Sequence, residues 1–167
     1  MFSPPPIPSW EGLHPLVIHF PIGLLAIVPV FVVLALIWKA HRDAFLLAAL
    51  LTSLGGLKAM YIAILTGRAA AEVADITPEI METIERHSAL AKMAFQACLF
   101  YTIALGLVFV VAMFVRPFWK RRTEYIVGAI LLAGWAAGYG LISLAGHQGG
   151  TLVHKYGVHS SDFNAAE

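Results

Sequence analysis

The sequence predicts an all-α integral membrane protein, a four-helix bundle with both termini on the periplasmic side, and three observations carry that expectation. Of 167 residues, 59% are hydrophobic and only 13% charged, with a mean hydropathy of +0.79. That is far above what a soluble domain of this length carries. The apolar residues fall into four runs, over 15–38, 44–66, 87–115 and 125–147, that are apolar all round and each long enough to cross ~30 Å of hydrocarbon. The eleven Lys and Arg are mostly confined to the connections. One domain is expected, with a polar tail over 148–167. A net charge of +1 leaves no basic excess, so no nucleic-acid partner is expected.

The elements follow in order. Residues 1–12 read as an extended arm, because Pro4, Pro5, Pro6 and Pro8 lock φ and remove donors; Trp10 suits the headgroup layer. The first helix opens with Pro15 in its first turn, where the missing N–H costs nothing. It is read as a retained span, since the run is longer than a signal-peptide core and no small-x-small site follows it. Pro21 and Pro29 fall inside the run and should kink or loosen it, which membranes tolerate where neighbours re-satisfy the freed carbonyls.

The connection 39–43 carries Lys39 and Arg42, and the second helix has Lys58 as its only charge. The next connection, 67–86, holds Glu72, Asp75, Glu79, Glu82 and Glu85 and reads as lying outside the bilayer, with a short surface helix begun by Thr77 and Pro78. The third helix ends before Arg116-Pro-Phe-Trp-Lys-Arg-Arg, the densest positive cluster. The fourth carries Gly134-x-x-x-Gly138, a spacing that lets a helix or a flat macrocycle approach closely, and Gly149-Gly150 is expected to end it. Positive charge in the first and third connections places both in the cytoplasm by the positive-inside rule, and the termini outside.

That orientation sorts the seven histidines. His14, His19, His87, His147, His154 and His159 fall at the outer face, and only His41, between Lys39 and Arg42, falls on the cytoplasmic side, where it reads as solvated. The stretch Leu13-His14-Pro15-Leu16-Val17-Ile18-His19-Phe20-Pro21-Ile22 sets two of them at the mouth of an apolar run, and ionisable groups at membrane depth mark functional sites by default. His19 lies roughly 6 Å inside Pro15, and Lys58 roughly 12 Å below Thr66, at ~1.5 Å per residue. His14 and His19, five positions apart, point about 140° apart on a regular helix and suit different partners.

Imidazole suits haem iron and several transition metals. The expected ligands are His19, His87 and His147, with His14 and His154 as further candidates. One or two b-type haems would be held between histidines of different helices, such as His19 with one from the third or fourth. The chain has one cysteine, Cys98, inside an apolar run, and no Cys-x-x-Cys-His, so any haem here is non-covalent and no intramolecular disulfide forms. Haem propionates need cations or donors when partly buried, and Lys58 and Arg68 lie on the correct side; the plainer role for Lys58 is snorkelling. Copper or another metal stays open, because clustered histidines alone do not choose.

Leu13-His14-Pro15 with Val17-Ile18-His19-Phe20-Pro21-Ile22, Thr66-Gly67, His87, and Gly149-Gly150-x-Leu152-Val153-x-x-x-Gly157 together resemble the bacterial four-helix membrane family catalogued as domain of unknown function 2231. The resemblance covers nearly the whole chain and implies a small redox-associated membrane subunit. The chain departs from the family pattern at His154 and Tyr156, where Tyr and often His are expected. Three functions compete. A b-type cytochrome-like electron-transfer subunit of the bacterial cytoplasmic membrane would act with other membrane or periplasmic redox subunits such as a cytochrome, because no histidine lies in the inner halves of the helices to carry electrons across alone. A non-redox metal- or haem-binding module, or a subunit docking on a larger complex or on itself, is the alternative. An enzyme in its own right is disfavoured, since no nucleophile, base and orienter set is present.

Overall fold

The computed structural model describes residues 9–115 and 120–158. The arm before residue 9, the cationic stretch 116–119, and His159 with the rest of the tail lie outside the described residues. Five α-helices follow one another: α1 (His14–Val17), α2 (His19–Ile37), α3 (Arg42–Glu72), α4 (Pro78–Val115) and α5 (Arg121–His154). With single 3-10 turns at Glu11–Leu13 and Lys39–His41, they make four helical stretches long and apolar enough to cross a membrane. Among the described residues there is no strand.

The stretches alternate in direction. α2 packs on α3, α3 on α4 and α4 on α5, and α5 closes back on α2, which leaves α2 diagonal to α4 and α3 diagonal to α5. Leu25, Val28 and Val32 of α2, Leu46 and Ala49 of α3, Ala94, Cys98 and Leu105 of α4, and Leu131 of α5 fill the centre. Phe100, Leu107, Phe114 and Ile130 point outward, as apolar side chains must where the solvent is lipid.

Both internal prolines leave a visible mark. Pro21 has no N–H for the Val17 carbonyl, and the helix is interrupted at Ile18, between α1 and α2. Pro29 withdraws the donor from the Leu25 carbonyl, yet α2 runs on, because Trp135 of α5 donates its Nε1–H to that oxygen at 2.8 Å. The proline thus ties α2 to α5, and the neighbour re-satisfies the freed carbonyl. A second polar tie, Ser53 Oγ to Thr102 Oγ1 at 2.7 Å, joins α3 to α4 where both side chains are buried.

The helices are longer than the apolar runs predict. The second does not stop at residue 66: Ala69, Ala70 and Ala71 are strong helix formers, and Ala70 is buried. The third does not begin at His87. The surface helix expected before it is its own first turns, with Pro78 in the first turn, Thr77 Oγ1 accepting from the Ile80 N–H at 3.4 Å, and Ile80 and Thr83 buried. The fourth starts at Arg121 rather than Tyr125 and passes through Gly149-Gly150 to His154, so the first residues of the expected polar tail are helical. It is stopped instead by Gly157, at φ 66°, whose N–H returns to the Val153 carbonyl at 3.1 Å.

Gly134 and Gly138 serve helix packing. A Cβ on Gly134 would stand 3.6 Å from Tyr101 Cδ2, and one on Gly138 3.4 Å from Cys98 Sγ, both on α4. At the end of the bundle away from His14, Glu124 of α5 binds Arg42 at 2.7 Å and Lys39 at 3.4 Å, clasping the connection between α2 and α3. His41 stacks edge-on against Trp38 there, 5.0 Å between ring centroids.

Candidate functional site

Four helical segments converge at the opposite end, where α1 begins, α3 nears its end, α4 has made its first turns and α5 nears its end. His14 at the start of α1 and His87 in α4 bring their rings to 6.2 Å between centroids, with planes at 84°. Both are partly buried. Each is braced by the helix that pairs with its own in a hairpin.

His87 Nδ1 lies 2.8 Å from the Ala145 carbonyl of α5. A carbonyl only accepts, so Nδ1 carries the hydrogen, and in the neutral ring Nε2 keeps its lone pair. His14 Nδ1 lies 3.2 Å from Thr66 Oγ1 of α3, and Thr66 directs its own hydrogen to the Ile62 and Ala63 carbonyls, each at 3.1 Å. The hydroxyl therefore accepts from His14 Nδ1, which fixes the orientation of that ring. Fixing one ring nitrogen by a hydrogen bond to present the other as a ligand is how metal-binding histidines are set.

Two glycines make room for the rings. A Cβ on Gly67 would come within 2.8 Å of His14 Cε1 and 3.1 Å of its Nδ1. One on Gly149 would come within 3.2 Å of His87 Cε1. These are the glycines that the sequence suggested as helix ends, and both are helical. Their position is explained by the imidazole lying over each.

The spacing suits a shared ligand. Two imidazoles on opposite sides of one metal, at about 2.0 Å per metal–nitrogen bond, stand about 6 Å apart between ring centres. His14 and His87 are therefore the pair that could hold one metal centre between them.

The other expected site residues fall elsewhere. His19 is exposed at the start of α2, on a different face from His14, as their spacing predicts. His147 and His154 are exposed on α5 and, with Gly150, Thr151 and Lys155, line a shallow groove on its outer side. Lys58 and Arg68 are exposed on α3, where Lys58 is placed to snorkel. Among the described residues, no three His, Cys, Asp or Glu side chains are grouped to hold a metal ion. The site is therefore a pair of imidazoles. Sequence reading did not single out Thr66 or the Ala145 carbonyl as its braces; the adjacent Thr66-Gly67 at the level of His14 is the one signal that could have found half of it.

A family model described as "Predicted membrane protein (DUF2231)" matches residues 11–162, a stretch that contains both histidines and both braces. No curated protein and no solved structure matches the chain.

Proposed function

From the premise that the chain belongs to the DUF2231 family of predicted membrane proteins, we propose that it is a b-type cytochrome-like electron-transfer subunit of the bacterial cytoplasmic membrane. Its one haem is held by His14 and His87 at the periplasmic side. The observation that carries this reading is the braced pair: two imidazoles from diagonal segments, each with Nδ1 engaged, at 6.2 Å between ring centroids. Non-covalent haem b supplies a one-electron couple, and two imidazoles leave its iron no open position, which favours electron transfer over oxygen chemistry.

Lys39, Arg42, Arg121 and Arg122 lie at the end opposite the pair, and by the positive-inside rule that end faces the cytoplasm. A single site near one face relays electrons along that face, so the subunit acts with other membrane or periplasmic redox subunits. His19, His147 and His154, being exposed, are free to meet such a partner.

A second reading is a non-redox module in which the two imidazoles take a bare transition-metal ion. The 6.2 Å between ring centroids favours it, being close to what one ion between two imidazoles needs. Detergent-purified protein decides between them. A Soret band with haem extractable into acid acetone supports the cytochrome. A stoichiometric metal without a Soret band supports the ion, and neither one sinks both.

A further inference from the structure

We propose that the outward seam between α3 and α4, in the leaflet on the side of the histidine pair, seats an anionic phospholipid whose phosphate is held by Lys58, Arg68 and Lys92. Between Asp43 and Val115 the chain has four Lys or Arg residues, Lys58, Arg68, Arg86 and Lys92, whereas α2 and the stretch 123–154 have none. Arg86 is bound to Glu82. Among the described residues, no ion pair or hydrogen bond engages the side chain of Lys58, Arg68 or Lys92, and all three are exposed. The positive-inside rule does not account for them, because the cations it describes gather at the other end, around Lys39 and Arg42.

Helical register puts the three on one seam. The Ser53–Thr102 bond marks where α3 meets α4, and further toward the histidine pair the Tyr61 and Phe95 rings stand 6.4 Å apart between centroids. From that ring contact, Lys58 is three residues inward along α3, Lys92 three residues outward along α4, and Arg68 seven residues outward along α3. Residues three or seven apart share a helix face. At ~1.5 Å per residue their levels are about 4.5 Å below, about 4.5 Å above and about 10 Å above the contact. Measured from Arg42, ~30 Å of hydrocarbon ends about 20 residues along α3, near residue 62. The ring contact therefore sits at the headgroup boundary, where tyrosine is favoured, and Tyr61 is 55% exposed. Lys92 and Arg68 stand at headgroup level. Lys58 lies one turn inside, and its apolar stem lets the ammonium reach outward. Cations at this depth call for an anion; on a lipid-facing surface the anion at hand is a lipid phosphate, which takes charge-assisted hydrogen bonds from Lys and Arg.

Thermal unfolding of the detergent-purified full chain, titrated with phosphatidylglycerol or with phosphatidylcholine, tests this. Phosphatidylglycerol is expected to raise the unfolding midpoint at lower concentration than phosphatidylcholine, and to stay bound in native mass spectrometry. Lys58→Gln, Arg68→Gln and Lys92→Gln should each weaken its apparent affinity by a factor of about five, and the preference should vanish in the triple variant. Arg86→Gln makes the same change in charge at a residue already paired with Glu82, and should keep the preference. Equal responses of the wild type to the two lipids would leave the cations to an acidic partner protein and overturn the proposal. A triple variant, helical by circular dichroism, that keeps the preference overturns it too, as does a preference lost equally in Arg86→Gln. None of these readouts involves haem, so they stand apart from the cofactor assignment.

Discussion

At the scale of single residues, the site depends on four side-chain choices that hydropathy does not register. His14 and His87 stand out in the sequence as histidines at helix ends, but nothing in their spacing pairs them, since they belong to different helices. Only the packed bundle brings them together. Thr66 and Gly67 look like the close of a helix because glycine is a poor helix former; in the structure the first positions the His14 ring and the second leaves space for it. Gly67→Ala should therefore displace His14, since the new methyl would lie 2.8 Å from Cε1. The cost expected for overpacking is about 1–3 kcal/mol, read as a lower melting temperature in detergent, with loss of bound cofactor. Gly149→Ala, with its nearest atom at 3.2 Å, should be milder. Thr66→Val removes the acceptor for His14 Nδ1 and should weaken cofactor retention, while Thr66→Ser should restore it. Equal cofactor content in the valine and serine variants would show that Thr66 contributes only shape.

At the scale of elements, the four spans were legible because lipid permits helices that are apolar on every face, and that pattern survives in any hydropathy reading. Their ends were not legible. Residues 67–72, 78–86 and 148–154 are helical but polar or mixed, and they extend past the hydrocarbon, where burial against neighbouring turns rather than hydropathy decides their structure. α4, with 38 residues, is about 57 Å long against a core of ~30 Å. The prolines were legible as breaks, but the compensation for Pro29 needed Trp135, a partner 110 positions from the Leu25 carbonyl it serves. Hydrogen bonds between membrane helices average only about 0.6 kcal/mol, with a maximum near 1.7. The Trp135 bond should fall toward the upper end, because its acceptor has lost the helical donor. Trp135→Phe should thus be destabilising by roughly 1–1.7 kcal/mol, and less so in a Pro29→Ala background, where the backbone bond to Leu25 re-forms. Strict additivity of the two substitutions in a double-mutant cycle would refute the link between them.

At the scale of the whole molecule, the bundle is two similar hairpins. In each, a histidine of the first helical stretch, His14 or His87, packs on the second against an acceptor and a glycine, Thr66 with Gly67 or Ala145 with Gly149. The histidines meet where the hairpins pack, so the site exists only when both are assembled. The opposite end is clasped by Glu124 on Arg42 and Lys39, and the proposed orientation puts that cationic end in the cytoplasm. A cysteine at the exposed Lys155 position, in a Cys98→Ala background, should react with a membrane-impermeant reagent added to the periplasmic side of intact cells. Labelling only after lysis would reverse the topology and move the pair to the cytoplasmic face.

The claim that His14 and His87 are the axial ligands of one haem is tested most directly by electron paramagnetic resonance of the oxidised, purified protein. Two axial imidazoles keep ferric iron low-spin, and planes near the 84° found between these rings make the signal strongly anisotropic. The expected spectrum is that single low-spin species, absent or converted to high-spin when either His14 or His87 is replaced by Ala, and unchanged when His147 is. A wild-type protein with no ferric haem signal, or one whose low-spin signal survives the loss of both His14 and His87, would contradict the assignment.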